Sequence, residues 1–173
     1  MTNKINSSLQ KTKMYKAYLI IGGNVGNTLE YFKQAIQLIE KKCGSITKSS
    51  AIYCTAAWGI TNQSDFLNQV LVVNTHLTPN ELIKEILAIE LLMGRERSIK
   101  MGPRIIDIDI LLINDLIIST NLLTLPHPQL TNRKFALTPL AEIAPNKIHP
   151  IENKTINQLL QLCTDNLNVQ KIK

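Results

Sequence analysis

Asp107 and Asp109 stand two residues apart in "RIIDIDILLI", a run otherwise almost entirely isoleucine and leucine. Such a run reads as a strand over 104–113. Side chains alternate along a strand, so both carboxylates share one face with Ile105 and Leu111, while Ile106, Ile108 and Ile110 fill the other. At about 3.3 Å rise per residue the two lie ~6.6 Å apart along the strand. Carboxylates buried there without cations would be costly. Arg95, Arg97, Lys100, Arg104 and Arg133 flank them in sequence. One reading is a salt-bridge ladder with Arg104 or a neighbouring arginine. The other is a Mg²⁺ site, in which two carboxylates hold a hard cation that completes its shell with waters and substrate phosphates. Arginine forks match phosphate oxygens, and two metals about 3.5–4 Å apart can clamp one phosphoryl group.

The elements that must position these residues follow from periodicity. "KAYLIIGGN" predicts a strand at about 17–21, ended by two glycines. Leu29, Phe32, Ala35, Ile36 and Ile39 keep helical spacing, with Thr28 as N-cap and Gly44 beyond the end. Residues 45–53 alternate as a strand, 54–65 read as a loop, and 66–77 are β-rich. Thr78-Pro79 opens a helix that stops at Gly94. A charged loop, 95–103, then leads into the aspartate strand. The order β-α-β-β-α-β is the split βαβ, ferredoxin-like pattern: an α+β fold with an antiparallel sheet and packed helices. A C-terminal hairpin/helix extension is expected after it, with a helix over 132–145 interrupted at Pro139 and a short helix at 155–163.

The 173 residues suit one domain, 16–173, behind a flexible N-terminal tail, 1–15. No apolar run approaches the ~18 residues of a membrane span, and the polar, lysine-rich start is no secretory signal. Three widely spaced cysteines argue for a reducing cytoplasm and against a disulfide framework or a zinc site. The net charge of +6 permits an anionic partner without naming one. "GGNVGNT" lacks the Lys-Ser/Thr of a phosphate-binding loop and the full dinucleotide fingerprint.

"GRERSIKMGPRIIDIDILLIND" (94–115) resembles the signature of 6-hydroxymethyl-7,8-dihydropterin pyrophosphokinase. "YLIIGGNVGN", "SAIYCTAAWG", "DFLNQV" and "LPHPQLTNRKFALTPLAEIAP" resemble further segments of that family, in order, over about residues 17–162. The family's usual Trp before Gly-Pro-Arg is Met101 here, and its Pro after the Thr of the second loop is Ala56.

The resemblance implies transfer of pyrophosphate from ATP to the hydroxymethyl group of the pterin, giving AMP and the pterin diphosphate in folate biosynthesis. It implies that Asp107 and Asp109 hold two Mg²⁺ ions. Arg95, Lys100 and Arg104 would act with them in catalysis. Glu90, Arg95, Arg97, Arg104, His127 and Arg133 would surround ATP. Pterin recognition needs an apolar slot with amides at its edge; Phe66 and Phe135 could sandwich the ring and Asn68 could address its pyrimidine edge. Thr55, Ala57, Trp58 and Asn24 would complete the slot. The expected partners are these small molecules, with no nucleic acid and no membrane, and a monomer is expected. Two alternatives stand beside this: a ferredoxin-like nucleic-acid-binding module, which needs exposed aromatics on the central strands, and a catalytically idle homologue.

Overall fold

The computed structural model describes residues 13–57, 62–95 and 102–172. The strands among the described residues are β1 (Tyr15–Gly23), β2 (Ser45–Ser49), β3 (Tyr53–Thr55), β4 (Phe66–Thr75), β5 (Asp107–Ile113), β6 (Ile118–Ser119), β7 (Thr124–Leu125) and β8 (Val169–Lys171). Four helices are α1 (Thr28–Lys42), α2 (Pro79–Leu92), α3 (Lys134–Ile143) and α4 (Ile156–Leu162). The main sheet runs β5-β1-β4-β3-β8, with β2 also on β4, and every pairing is antiparallel. The short strands β6 and β7 form a separate ribbon.

Both sheet faces are covered. On one, Phe32, Ala35 and Ile39 of α1 and Leu82, Ile86 and Ile89 of α2 pack on Leu19, Ile21, Leu71, Ile108 and Ile110. On the other, Ala136, Leu137 and Leu140 of α3 and Ile156 and Leu159 of α4 pack on Tyr18, Ile20, Val70, Val72 and Leu111. Asp107 and Asp109 belong to this second face by alternation, at the end of β5 that lies opposite Gly22 and Ile20 of β1. The carboxylates therefore sit where the α3/α4 layer runs out, not in the dry interior.

Several expectations change in detail. Asn27, not Thr28, caps α1, its side chain accepting from the Glu30 N–H. Residues 45–53 form two strands, because the Ser50 hydroxyl accepts from the Val70 N–H at 2.9 Å and so takes a place in the ladder. Between the two strands, a step of four (Ser49 to Tyr53) opposes a step of three (Leu71 to Asn68). α3 runs through Pro139 without interruption. The missing N–H forfeits one helical bond, and Pro139 and its neighbours Leu137 and Leu140 are buried.

The aspartate strand begins at Asp107 rather than 104. Arg104 is drawn out of the ladder by Asn24: its N–H donates to Asn24 Oδ1 at 3.0 Å, and its carbonyl accepts from the Asn24 N–H at 2.9 Å. Gly23 permits this approach, since a Cβ there would lie 2.5 Å from the Ile105 carbonyl oxygen. Ile105 consequently packs with the α1/α2 core instead of sharing the aspartates' face. β1 begins at Tyr15, one residue inside the expected tail, and residues 1–12 of that tail lie outside the described residues.

Candidate functional site

Cross-strand register brings the predicted residues together. Asp107 faces Gly22, Gly22 faces Asn68, and Asn68 faces Tyr53, so four strands contribute to one row. The next row out pairs Thr55 with Phe66. Directly paired residues of antiparallel strands project to the same side. Asn68 is buried and donates through Nδ2 to Thr55 Oγ1 at 3.1 Å. Gly22 leaves the space that the Asn68 amide uses, because a Cβ at 22 would fall 2.8 Å from Asn68 Oδ1. Sequence reasoning overlooked Gly22 as a site residue; its signal was a glycine pair at the end of an apolar strand.

Asp107 is held by two arginines. Arg95 Nη1 lies 2.6 Å from Oδ1 and Arg104 Nε 2.9 Å from Oδ2. Arg95 also pairs with Glu90, whose side chain is only 3% exposed. Glu90 Oε1 accepts the Ile108 N–H at 2.7 Å, at the residue between the two aspartates. Glu90, expected near the nucleotide, thus acts here as a buried anchor for both Arg95 and β5. The salt-bridge reading matches these contacts of Asp107.

Asp109 is held more loosely. His127 Nε2 and Arg133 Nη1 each lie 3.9 Å from Oδ2, and the side chain keeps 39% exposure. Desolvation at the floor of the site, with the charge of Asp107 beside it, pushes the Asp109 pKa up to about 6, against the pull of Arg133. Burial first, and Arg133 second, push His127 down to about 4. The imidazole is therefore neutral at pH 7. Its Nδ1 accepts the Gln129 N–H at 3.1 Å, which assigns the proton to Nε2 and aims a donor at Asp109. The His127 N–H is itself fixed to the Leu111 carbonyl of β5 at 2.9 Å.

Two arginines lie over aromatic rings. The Arg104 guanidinium sits 4.7 Å from the centre of Phe66, and that of Arg133 5.7 Å from Phe135. Phe66 is buried, and Phe135 half-buried against the α3/α4 core. Ala57, two residues beyond β3, is buried. Asn24, expected along the slot, has its amide engaged: Nδ2 donates to Gln63 Oε1 and to the Ser64 carbonyl, while Oδ1 accepts from Arg104. Trp58, Arg97, Lys100 and Met101 lie outside the described residues.

The donor set fits a hard divalent cation. Two carboxylates share one face, with Asp109 reaching solvent; desolvation first and repulsion from Asp107 second raise its pKa, and a cation would relieve the repulsion. Among the described residues no group of three or more His, Cys, Asp and Glu side chains could form a closed metal cage. Two carboxylates with open positions suit Mg²⁺, which is usually shared with waters and substrate phosphates. Tyr18, Tyr53 and Phe66, on the strands of this face, are all buried, unlike the exposed aromatics of an RNA-reading sheet.

The chain is similar to several known proteins. The family model of 7,8-dihydro-6-hydroxymethylpterin-pyrophosphokinase matches residues 18–145. The chain is 46% identical over 145 residues to the 2-amino-4-hydroxy-6-hydroxymethyldihydropteridine pyrophosphokinase of Aquifex aeolicus, covering 84% of this chain and 90% of that one. It is 41% identical over 128 residues to the Bacillus subtilis protein of the same name, covering 73% and 77%. Among solved structures, wild-type HPPK-DHPS of Plasmodium falciparum with SDX-DHP is similar in fold, with a TM-score of 0.75 at 21% identity. That match covers 87% of this chain but only 44% of the longer Plasmodium chain.

Proposed function

Because the chain belongs to the 7,8-dihydro-6-hydroxymethylpterin-pyrophosphokinase family, we propose that Asp107 and Asp109 are the metal-binding centre of its reaction. That reaction is pyrophosphoryl transfer from ATP to hydroxymethyldihydropterin in folate biosynthesis. The pterin hydroxyl displaces AMP at the β-phosphorus, so the β–γ unit is transferred whole. The observation that carries the proposal is the pair of carboxylates on one strand face, ringed by Arg95, Arg104 and Arg133.

Asp107 and Asp109 would hold two Mg²⁺ ions. These would neutralise phosphate charge and lower the pKa of the attacking hydroxyl. The protein's own work is positioning and charge balance, since phosphoryl transfer leaves little covalent chemistry to side chains. Among the described residues, Glu90, Asp107 and Asp109 offset Arg95, Arg104 and Arg133, so divalent cations would add positive charge for a triphosphate. Arg95 and Arg104, which pair with Asp107, would bind phosphate oxygens through their planar forks. Lys100 and Arg97 would join them. His127 would donate from Nε2, and Arg133 would flank the nucleotide. Charge spreading over the transferred group would be stabilised by these donors.

The pterin would lie in the slot between Phe66 and Phe135, its edge read by Asn68 and by the backbone near Thr55 and Ala57, with Trp58 covering it. Desolvated amide and carbonyl groups give such a slot its selectivity. The strand order β5-β1-β4, with β2 and β3 outside it, supports a ferredoxin-like core, and α4 with β8 supports a C-terminal extension. We read the described residues as one domain, monomeric and cytoplasmic. Separately, no described helix is long and apolar enough to cross a membrane. The test is to incubate the protein with ATP, Mg²⁺ and the hydroxymethyl pterin and identify the nucleotide product. AMP formed one-for-one with pterin diphosphate is expected. ADP, or no pterin-dependent turnover by folded protein, contradicts the reading.

A further inference from the structure

We propose that residues 164–171 are a positioning strap for the pterin slot, holding β3 and the N-terminus of α3 in fixed register through Asp165 and Lys171. The proposal rests on the slot reading above, in which Asn68 and the backbone near Thr55 lie on the sheet side and Phe135 on the α3 side.

The α3 wall lacks a cap of its own. Arg133 occupies the N-cap position and makes no side-chain capping bond. The bond comes instead from the C-terminal segment: the Lys134 N–H donates to Asp165 Oδ2 at 3.0 Å. The other carboxylate oxygen accepts the Leu167 N–H at 3.0 Å, which fixes the carboxylate's direction. A negative group there also meets the positive end of the helix. Asp165 thereby holds the turn that presents Arg133 and Phe135.

Four residues later the same segment becomes β8 and pairs with β3, Val169 opposite Thr55 and Lys171 opposite Tyr53. The Ile172 N–H adds a bond to the Ile52 carbonyl at 3.0 Å. Lys171 Nζ reaches Glu142 Oε1 of α3 at 2.8 Å. Glu142 Oε2 accepts from the Ala51 N–H at 2.8 Å and the Tyr53 hydroxyl at 3.2 Å. The strap and α3 therefore grip β3 from two sides. β3 carries Thr55, to which the Asn68 amide is bonded. A shift of β3 passes directly to Asn68, and a shift of α3 to Phe135. Misplacing a positioning group by about 1 Å can cost on the order of 100-fold. The strap also lies wholly beyond residues 18–145, the part that the family model matches.

The test compares Asp165→Ala, Asp165→Asn and Lys171→Met with Asn68→Ala in steady-state assays of both substrates. Asp165→Ala should raise the pterin KM about fivefold or more, the scale of a lost helix cap, and raise the ATP KM to a smaller degree through Arg133. Asp165→Asn should recover most of that loss, since an amide oxygen also caps. Lys171→Met should raise the pterin KM to a smaller degree. Unchanged pterin KM in Asp165→Ala and Lys171→Met, with a raised value in Asn68→Ala, overturns the strap alone. Equal rises for ATP and pterin, accompanied by a fall in Tm, also overturn it, because they signal general loosening. An unchanged pterin KM in Asn68→Ala removes the slot reading, and the strap with it.

Discussion

Asn68 and Asp107 face the same side of the sheet in one cross-strand row, with only Gly22 between them. The proposed pterin reader and the proposed metal ligand are thus two strand spacings apart, about 9.5 Å, across a position without a side chain. A ring edge at Asn68 and a cation at Asp107 could then belong to one continuous reacting pair. Gly22→Ala would put a methyl 2.8 Å from Asn68 Oδ1. Such crowding costs about 1–3 kcal/mol, roughly tenfold in affinity. Calorimetric titration with pterin in the presence of a non-hydrolysable ATP analogue should register that loss. Unchanged pterin binding would mean that Asn68 does not read the ring.

Glu90 carries two jobs with one buried carboxylate, pairing Arg95 and accepting from the Ile108 N–H. Removing one partner of a buried pair costs about 3–5 kcal/mol. Glu90→Ala should therefore lower Tm on the order of 10 °C and reduce turnover, as Arg95 and β5 lose their anchor. Glu90→Gln keeps an acceptor for Ile108 and should retain more stability than activity. Thermal denaturation beside initial-rate assays checks this, and a Glu90→Ala protein as stable as the parent would contradict it.

Arg104 divides its guanidinium between Asp107 and the Phe66 face. A lysine can supply the charge but not the planar fork. Arg104→Lys should lower kcat by about 10²-fold, the scale of a lost transition-state donor, with Tm little changed. A near-normal kcat would place Arg104 outside the transition state.

Two shifted groups give opposite pH slopes in the metal-free protein. The folded Asp109 keeps its proton up to about 6, whereas its ordinary value is 3.8. Between those values the folded state holds the extra proton, so this group erodes stability as pH rises. His127 titrates at about 4 when folded, against 6.5 ordinarily. There the unfolded state holds the extra proton, and stability rises with pH. Asp109→Asn removes only the first contribution, so its Tm should climb more steeply than the parent's between pH 4 and 6. Parallel curves would contradict the raised Asp109. Mg²⁺ competes for the same carboxylate, so apparent Mg²⁺ affinity with ATP present should fall as pH drops below 6.

Much of this arrangement was legible in the chain because it is local. Alternation placed Asp107 and Asp109 together, and helical spacing with Thr78-Pro79 located α2, whose capping box closes between Thr78 and Glu81. What escaped is carried by contacts distant in sequence. Nothing near Arg104 indicates that Asn24, eighty residues earlier, ends the strand by taking both of its backbone groups. Nothing near Lys134 indicates that Asp165 caps its helix. Ser50 reads as one more strand residue until its hydroxyl is found on Val70. Pro139 predicts a break by its own chemistry, and the packing of its neighbours in the α3/α4 core outweighs that local preference. Trp58, Lys100 and Met101 carry expectations that lie outside the described residues.

The most direct test of the aspartate pair is the pterin-dependent AMP-forming rate of Asp107→Ala at saturating Mg²⁺ and ATP, with the fold checked by circular dichroism. Substitution relieves repulsion with Asp109 but leaves Arg95 and Arg104 without that partner, so the fold should survive with a lowered Tm. The predicted result is a well-folded protein that has lost most of its turnover. A well-folded protein turning over at nearly the parent rate would show that Asp107 is only a partner for Arg95 and Arg104, and not a metal ligand.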